Sequence, residues 1–337
     1  MILVITNKED SHPTPVIQLL TERGISVFRL NTEALLTDYE FCWQNDAHHC
    51  DFTLANIQNG LSVRGTEVTA VWDRRPEPPT ELPLQSTEVV DKHNREEALG
   101  FLRFLRYYLK DIPSIGSIVY DRVAASKMLQ TTIAQQVGLS VPDTCFSNRK
   151  ADILRFAMQY KEIVLKPIEN SNIWNEDNEE EYALYTQKTS SASLHDVPEE
   201  AFTQTVSYVQ NYVPKAYELR ITMVGRRAFA CKIDSQCLDE DKGKTDWRQG
   251  YDYGLKHEFY NLPQDIADKC IRFLQLMHLN FGAFDFIVTP SGEYVFLECN
   301  PNGQWLWVEL EIGMKISEAI ADFLQNLENT QEIYGIR

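Results

Sequence analysis

The sequence predicts a multidomain α/β protein, turning to α+β in its later part, on three observations. A βαβ pattern opens the chain, apolar strands and amphipathic helices follow one another along it, and a β-hairpin near the C-terminal end carries three oxygen-bearing side chains on one face. At 337 residues the chain is long enough for two or three compact units. Its 43% hydrophobic and 24% charged residues are ordinary for a soluble globular protein. The net charge of -17, with no Lys/Arg-dense stretch, argues against a nucleic-acid partner. No apolar run reaches the roughly eighteen residues that a membrane span needs. Met1 to Thr6 lacks the basic start and long core of a signal peptide, and seven cysteines at irregular positions fit a reducing cytoplasm.

Residues 2–5 and 25–30 read as short buried strands flanking a helix around Val16 to Leu20, which stops at Gly24. The loop from Thr6 to His12 holds no glycine, so the dinucleotide fingerprint is missing. Strands are expected near 39–43, near 61–63 and from Val68 to Trp72, the last running into Asp73-Arg74-Arg75-Pro76. Arg74 and Arg75 could meet a carboxylate, a phosphate or a second subunit; pairing with surface acids is the favoured reading. Cys42, His48, His49 and Cys50 are close enough to suggest zinc but match no finger spacing, which favours strand or loop residues. Apolar residues at 89, 90, 98, 101, 102, 105 and 109 predict a long helix from Ser86 to Leu109. Pro113 and Gly116 then end the first domain, residues 1–117.

The second domain, 118–205, begins with a helix from Val123 to Val137 that carries Lys127, followed by a helix near 150–159. Glu162 to Lys166 is a strand whose last residue is a lysine. Burial there costs rotamer freedom and desolvation unless an anion meets the ammonium. Residues 169–181 are polar and acidic and read as a lid-like loop, with strand pattern resuming at Tyr182. In the third domain, 206–337, a strand from Val206 to Val213 ends at Pro214, a hinge position. Tyr217–Gly225 and Arg226–Asp234 read as an antiparallel pair turning at Gly225. Alternation puts Glu218 and Arg220 on one face, and the second strand contributes Lys232, expected beside Arg220, Asp246 and Arg248 as a catalytic candidate. A polar loop with Asp246 and Arg248, a helix from Asp265 to His278, the hairpin, and a final amphipathic helix from Trp305 complete the order.

In the hairpin, a two-residue Ser291-Gly292 loop places Asp285 directly across from Glu298, with Asn300 on the same face. Facing carboxylates repel unless a cation lies between them, and a hard divalent ion that also takes phosphate oxygens suits the set. Magnesium with a nucleotide is therefore expected. Taken alone, the same residues also fit a solvated acidic hairpin.

The ordered set Lys127, Lys166, Gln210-Asn211-Tyr212-Val213, Glu218, Arg220, Asp285, Glu298 and Asn300 resembles the ATP-grasp superfamily from about residue 118 onward. Residues 1–117, with Val71-Trp72-Asp73-Arg74-Arg75-Pro76, look like the pre-ATP-grasp domain of its graspetide (microviridin-type) branch, which matures ribosomal peptides. Asp246-Trp247-Arg248 is similar to an Asp-x-Arg element of those enzymes. The resemblance implies that Lys127 and Lys166 hold the phosphates of ATP, that 210–213 meets adenine through backbone groups, and that Glu218 binds ribose. It further implies Arg220 at the transferred phosphoryl, Asp285, Glu298 and Asn300 on Mg2+, and Asp246 and Arg248 facing the acceptor carboxylate. Lys166-Pro167 runs into an Asn- and Glu-rich stretch where many ATP-grasp proteins have a glycine-rich phosphate loop.

The expected activity is ATP-dependent ligation: an Asp or Glu side chain of a precursor peptide bearing a leader becomes an acyl phosphate, and a hydroxyl or lysine amine of the same peptide closes an ester or amide ring. Lysines, an arginine and a metal supply the charge that phosphoryl transfer needs, and a guanidinium fork matches a carboxylate. The alternatives are a glutamate-ligase-like enzyme joining amino acids or short peptides, and a nucleotide-binding regulator without turnover. A homodimer is expected from the resemblance alone.

Overall fold

The computed structural model describes residues 1–327 apart from 49, 117, 170–171, 176–179, 239–240 and 250–253. A parallel sheet ordered Val27–Asn31, Ile2–Thr6, Ala70–Asp73 forms the start of the chain. Helix Pro13–Glu22 takes its prolines in the first turn, where no backbone N–H is needed. Helix Glu88–Tyr108 is capped by the Thr87 hydroxyl, which accepts from Val90 N–H at 3.4 Å. Its buried Leu102 and Leu105 pack with Leu3, Ile5 and Phe28 of the parallel sheet and with Phe52, Leu54 and Val63 of an antiparallel sheet, Tyr39–Asn45, Cys50–Asn56 and Ser62–Arg64. Cys42 and Cys50 are free and exposed in that sheet, and His49 lies outside the described residues. Among the described residues no group of three His, Cys, Asp or Glu side chains is placed to hold a metal.

The central sheet is antiparallel, ordered Gln187–Thr189, Ile163–Lys166, Ser207–Asn211, Thr144–Ser147. Ile153 and Ala157 of helix Lys150–Ala157 close its core against Ile163 and Val209. The boundary expected at 205/206 therefore falls one strand early, because Ser207–Asn211 pairs inside the central sheet and the crossing to the next lobe comes after it. The single helix expected over 123–137 is two, Asp121–Ala124 and Lys127–Gln136. Ser126 is extended and its hydroxyl accepts from Leu129 N–H at 3.5 Å, so it starts a second helix instead of continuing the first. The stretch expected to be a loop at 169–181 contains strand Asn172–Asn175, paired with Glu180–Ala183.

A five-stranded antiparallel sheet follows, ordered His257–Tyr260, Arg227–Ile233, Tyr217–Val224, Phe281–Val288, Tyr294–Asn300. One face, with Leu219, Ile221, Phe284 and Phe286, packs on helix Gln264–Leu276. The other face carries Glu218, Arg220 and Asp285. The terminal helix is broken into Leu306–Ile312 and Ile316–Asn326 at Gly313, whose φ of 72° ends the first piece. Ile316, Ile320 and Leu324 pack on Val16 and Leu20, and the same core takes in Ile2, Val4, Trp72 and Trp305, so the first and last lobes share one apolar core. No helix of the described residues is long and apolar enough to cross a membrane.

The hairpin reaches the expected pairing by an unexpected route. Its turn has three residues, not two: Thr289 N–H donates to Glu293 O at 2.9 Å, Gly292 N–H donates to Thr289 O at 2.9 Å, and Gly292 takes a φ of 84°. The extra residue shifts the ladder so that Phe286 faces Phe296. A bulge at Leu297 then absorbs one residue and returns Asp285 to Glu298.

Candidate functional site

A cavity of about 780 Å³ lies between the central sheet and the polar face of the C-terminal sheet. The end of the last strand supplies Glu298 and Asn300, and the neighbouring strand supplies Asp285. Asn300 Nδ2 stands 3.2 Å from Glu298 Oε1 and 3.5 Å from Asp285 Oδ2. An amide rotated by half a turn presents its oxygen at the same place, so two carboxylates and an amide oxygen converge. Such hard donors, with positions left for phosphate oxygens, fit magnesium.

Each acid is matched by a cation. Arg220 Nη1 lies 2.9 and 2.8 Å from the two Asp285 carboxylate oxygens, and its Nη2 donates to Gln304 O at 3.0 Å. Lys127, at the start of its helix, pairs with Glu298. Burial pushes Glu298 up, but Lys127, its hydrogen bond, Lys166 and Asn300 outweigh that and hold it at about 2. Asp285 goes the other way: burial and the Glu298 charge raise it despite Arg220. Lys166 ends the central strand inside the cavity and has no ion pair among the described residues; burial chiefly lowers it to about 8.

Gln210, Asn211, Tyr212 and Val213 line the far end. Asn211 N–H donates to Asp143 O and Tyr212 N–H to Glu162 O, which leaves Val213 N–H as the backbone donor of this segment without a partner among the described residues. The side-chain oxygens of Gln210 and Asn211 are buried without a donor, and a ring amino group would satisfy them. Glu218 is buried and held by Lys215 and the Ser235 hydroxyl. Lys215, which also donates to Thr245 O at 3.0 Å, sits in the loop after Pro214 where no periodicity marks it.

Asp246 and Arg248 both line the cavity and form a two-pronged pair, Nε to Oδ1 at 2.9 Å and Nη2 to Oδ2 at 2.6 Å. Burial raises Asp246, and Arg248 together with Thr186 N–H more than reverses this. Lys232 does not join them. It stands opposite Leu219 in the ladder and so points to the sheet face away from Glu218 and Arg220, with its ammonium 3.4 Å from Glu258 and over the Tyr217 ring. It is expected in the site, but pairing across the Gly225 turn sets even positions of the second strand opposite odd positions of the first, which puts Lys232 on the other face. Arg74, expected to pair with surface acids, is instead 1% exposed, with Nε 3.3 Å from the buried Asp10 and Nη1 donating to Asn302 O at 2.5 Å. Asp121, with its carboxylate accepting from Asn302 Nδ2 at 2.7 Å, is a further wall residue that sequence spacing does not single out.

Comparison with known proteins agrees with this architecture. The family described as the MvdD pre-ATP grasp domain matches residues 1–136, through helix Lys127–Gln136. The macrocyclase MdnC from Microcystis aeruginosa MRC, solved with its precursor peptide MdnA, is 28% identical, with a TM-score of 0.83 over 96% of this chain and 99% of that one. A Chryseobacterium gregarium RiPP-associated ATP-grasp ligase, solved with ADP and a leader and core peptide, is 27% identical with a TM-score of 0.86 over 100% and 99%. Macrocyclase MdnB from Microcystis aeruginosa MRC is 27% identical with a TM-score of 0.76 over 96% and 98%. No curated protein matches the chain in sequence.

Proposed function

The chain carries an MvdD-type pre-ATP-grasp domain on the fold of ATP-grasp macrocyclases, and on that premise we propose that it is an ADP-forming ligase of the graspetide-maturing branch. It activates Asp or Glu side chains of a ribosomal precursor peptide, recognised with its leader, and closes ester or amide rings within that peptide. The observation that carries this reading is the convergence of Lys127, Lys166, Arg220, Asp285, Glu298, Asn300, Asp246 and Arg248 on one cavity.

In this reading Lys127 and Lys166 neutralise the phosphates, Gln210 to Val213 receive the base, and Glu218 receives the ribose. Asp285, Glu298 and Asn300 would hold Mg2+, which would lower the charge repulsion around the phosphates. Arg248, aligned by Asp246, orients the peptide carboxylate, whose oxygen forms a bond to the γ-phosphorus as the bond to ADP breaks. Arg220 steadies the charge on the transferred group. The peptide's hydroxyl or amine then bonds to the acyl carbon, phosphate departs with the bonding electrons, and the nucleophile's proton passes to solvent. Catalysis comes from orientation and fixed charge, with no protein nucleophile.

Seven free cysteines support a reducing, cytoplasmic setting. Exposed Phe41, Trp43 and Phe104 beside the edge strand Tyr39–Asn45 support a homodimer, which light scattering would test. The activity is tested by incubating the protein, ATP and Mg2+ with a short Thr-, Ser-, Asp- and Glu-rich peptide from a neighbouring reading frame. Loss of one water per ring with ADP release is expected. ADP release driven by free amino acids alone would overturn the peptide substrate.

A further inference from the structure

Among the described residues six cationic side chains line the cavity: Arg75, Lys127, Lys166, Lys215, Arg220 and Arg248. Four are matched to an acid, Lys127 to Glu298, Lys215 to Glu218, Arg220 to Asp285 and Arg248 to Asp246. Lys166 and Arg75 have no carboxylate among the described residues. Lys166 comes from the central lobe, at the end assigned to the nucleotide phosphates. Arg75 is the cation that the N-terminal lobe sends into the wall.

The two adjacent arginines diverge in role. Arg74 is enclosed, with its Nε 3.3 Å from Asp10 and its Nη1 donating to the Asn302 carbonyl, and is closed off from any ligand. Arg75 is half-buried on the cavity side, where Nε and Nη2 both donate to the Asn302 oxygen at 3.2 and 3.1 Å. Two bonds to one oxygen fix the guanidinium plane against the loop that follows Asn300, so little freedom remains to be lost when an anion arrives. Its Nη1 end has no partner among the described residues. A fixed, half-buried guanidinium with a free end is a receptor for a carboxylate.

We propose that Arg75 binds a carboxylate of the acceptor peptide, next to the one being activated; this rests on the ligase reading above. A substrate rich in Asp and Glu brings such neighbours, and the phosphoryl end already has Lys127, Lys166 and Arg220. The N-terminal lobe thereby selects the peptide, while the other two lobes hold the nucleotide.

The test uses two fluorescent synthetic peptides of equal length, alternating Thr-Asp and alternating Thr-Asn, titrated by anisotropy against the full chain with Mg·ADP, whose own affinity is measured by calorimetry. Wild type is expected to prefer the acidic peptide, and Arg75→Gln to lose about tenfold of that preference, the size of one charge-assisted hydrogen bond. Mg·ADP affinity should stay unchanged, and Arg75→Lys should keep part of the preference. An unaltered acidic preference in Arg75→Gln overturns the assignment. So does a parallel loss of Mg·ADP affinity, which would put Arg75 on the phosphates. Failure of wild type itself to bind Mg·ADP would overturn the ligase reading first.

Discussion

Lys127 and Glu298 form an ion pair that ties the first turn of helix Lys127–Gln136 to the end of strand Tyr294–Asn300. Arg220 and Asp285 do the same across adjacent strands. The acids that suit a metal and the cations that suit phosphate thus neutralise one another, in a wall of low dielectric where neither could stand alone. On the proposed reading, binding of a metal nucleotide would be an exchange: the acids would turn to the metal and the cations to the phosphates.

Glu298→Gln tests that exchange. The amide cannot hold Lys127 by charge, so affinity for ATP without magnesium is expected to be equal to or tighter than wild type. Turnover with magnesium should fall roughly 10²–10³-fold, in line with loss of a preorganised charge. Calorimetry with and without Mg2+, beside an ADP-release assay, separates the two effects. A parallel loss of both affinities would contradict the exchange.

With Lys166 on the nucleotide phosphates, as proposed, binding is expected to depend on pH. Burial lowers its ammonium to about 8 in the free protein, and bound phosphate would raise it. Above pH 8 the free lysine is neutral and the bound one charged, so binding takes up a proton. Affinity should fall as pH rises through about 8, by at most tenfold per unit, with no slope from this group at lower pH. Titration at pH 9 in buffers of different ionisation enthalpy reads the uptake directly. Lys166→Met should abolish it.

Arg248→Ala removes the fork that Asp246 aligns. Mg·ATP affinity is expected to stay within about threefold, while peptide cyclisation drops at least 10²-fold, because positioning of the second substrate is lost. Arg248→Lys should not rescue, since an ammonium cannot hold Asp246 and a second carboxylate in one plane. Equal losses in binding and cyclisation would assign Arg248 to the nucleotide.

Much of this site is legible in sequence because strand alternation fixes which side chains share a face. Glu218, Arg220 and Asp285 follow from that parity, and so does the apolar face with Leu219 and Phe284. A two-residue turn predicts the Asp285–Glu298 pairing only because the bulge at Leu297 cancels the third turn residue; bulges leave no period in the sequence. The same sensitivity misplaced Lys232, where an error of one residue changes the face. Asp121 and the split between Arg74 and Arg75 are not legible, because each depends on which lobe packs against the loop after Asn300, and Lys215 is not, because it sits outside any periodic element and its partners are Glu218 and the Thr245 carbonyl. That packing rests on side chains at opposite ends of the chain, as where Val16 and Leu20 meet Ile320 and Leu324.

Asp121 gives that junction its own pH signature. Burial first, and then the negative charge of Asp73, raise its carboxyl to about 7, against the opposing pull of Arg106, the Asn302 hydrogen bond and Arg74. In the unfolded chain the same group titrates near the ordinary aspartate value of 3.8. Between those values the folded protein holds a proton that the unfolded chain has released, so stability from this group is present below about pH 4 and lost as pH rises through 7. Asp121→Asn carries no charge at any pH, and its amide oxygen can still accept from Asn302 Nδ2. The variant should match wild type at pH 4 and melt higher at pH 8, by roughly 2–4 °C for each kcal/mol relieved. Melting curves of both proteins from pH 4 to 8 decide the matter. A gap that does not widen with pH would mean that Asp121 is ionised throughout, its charge fully met by Arg74 and Arg106.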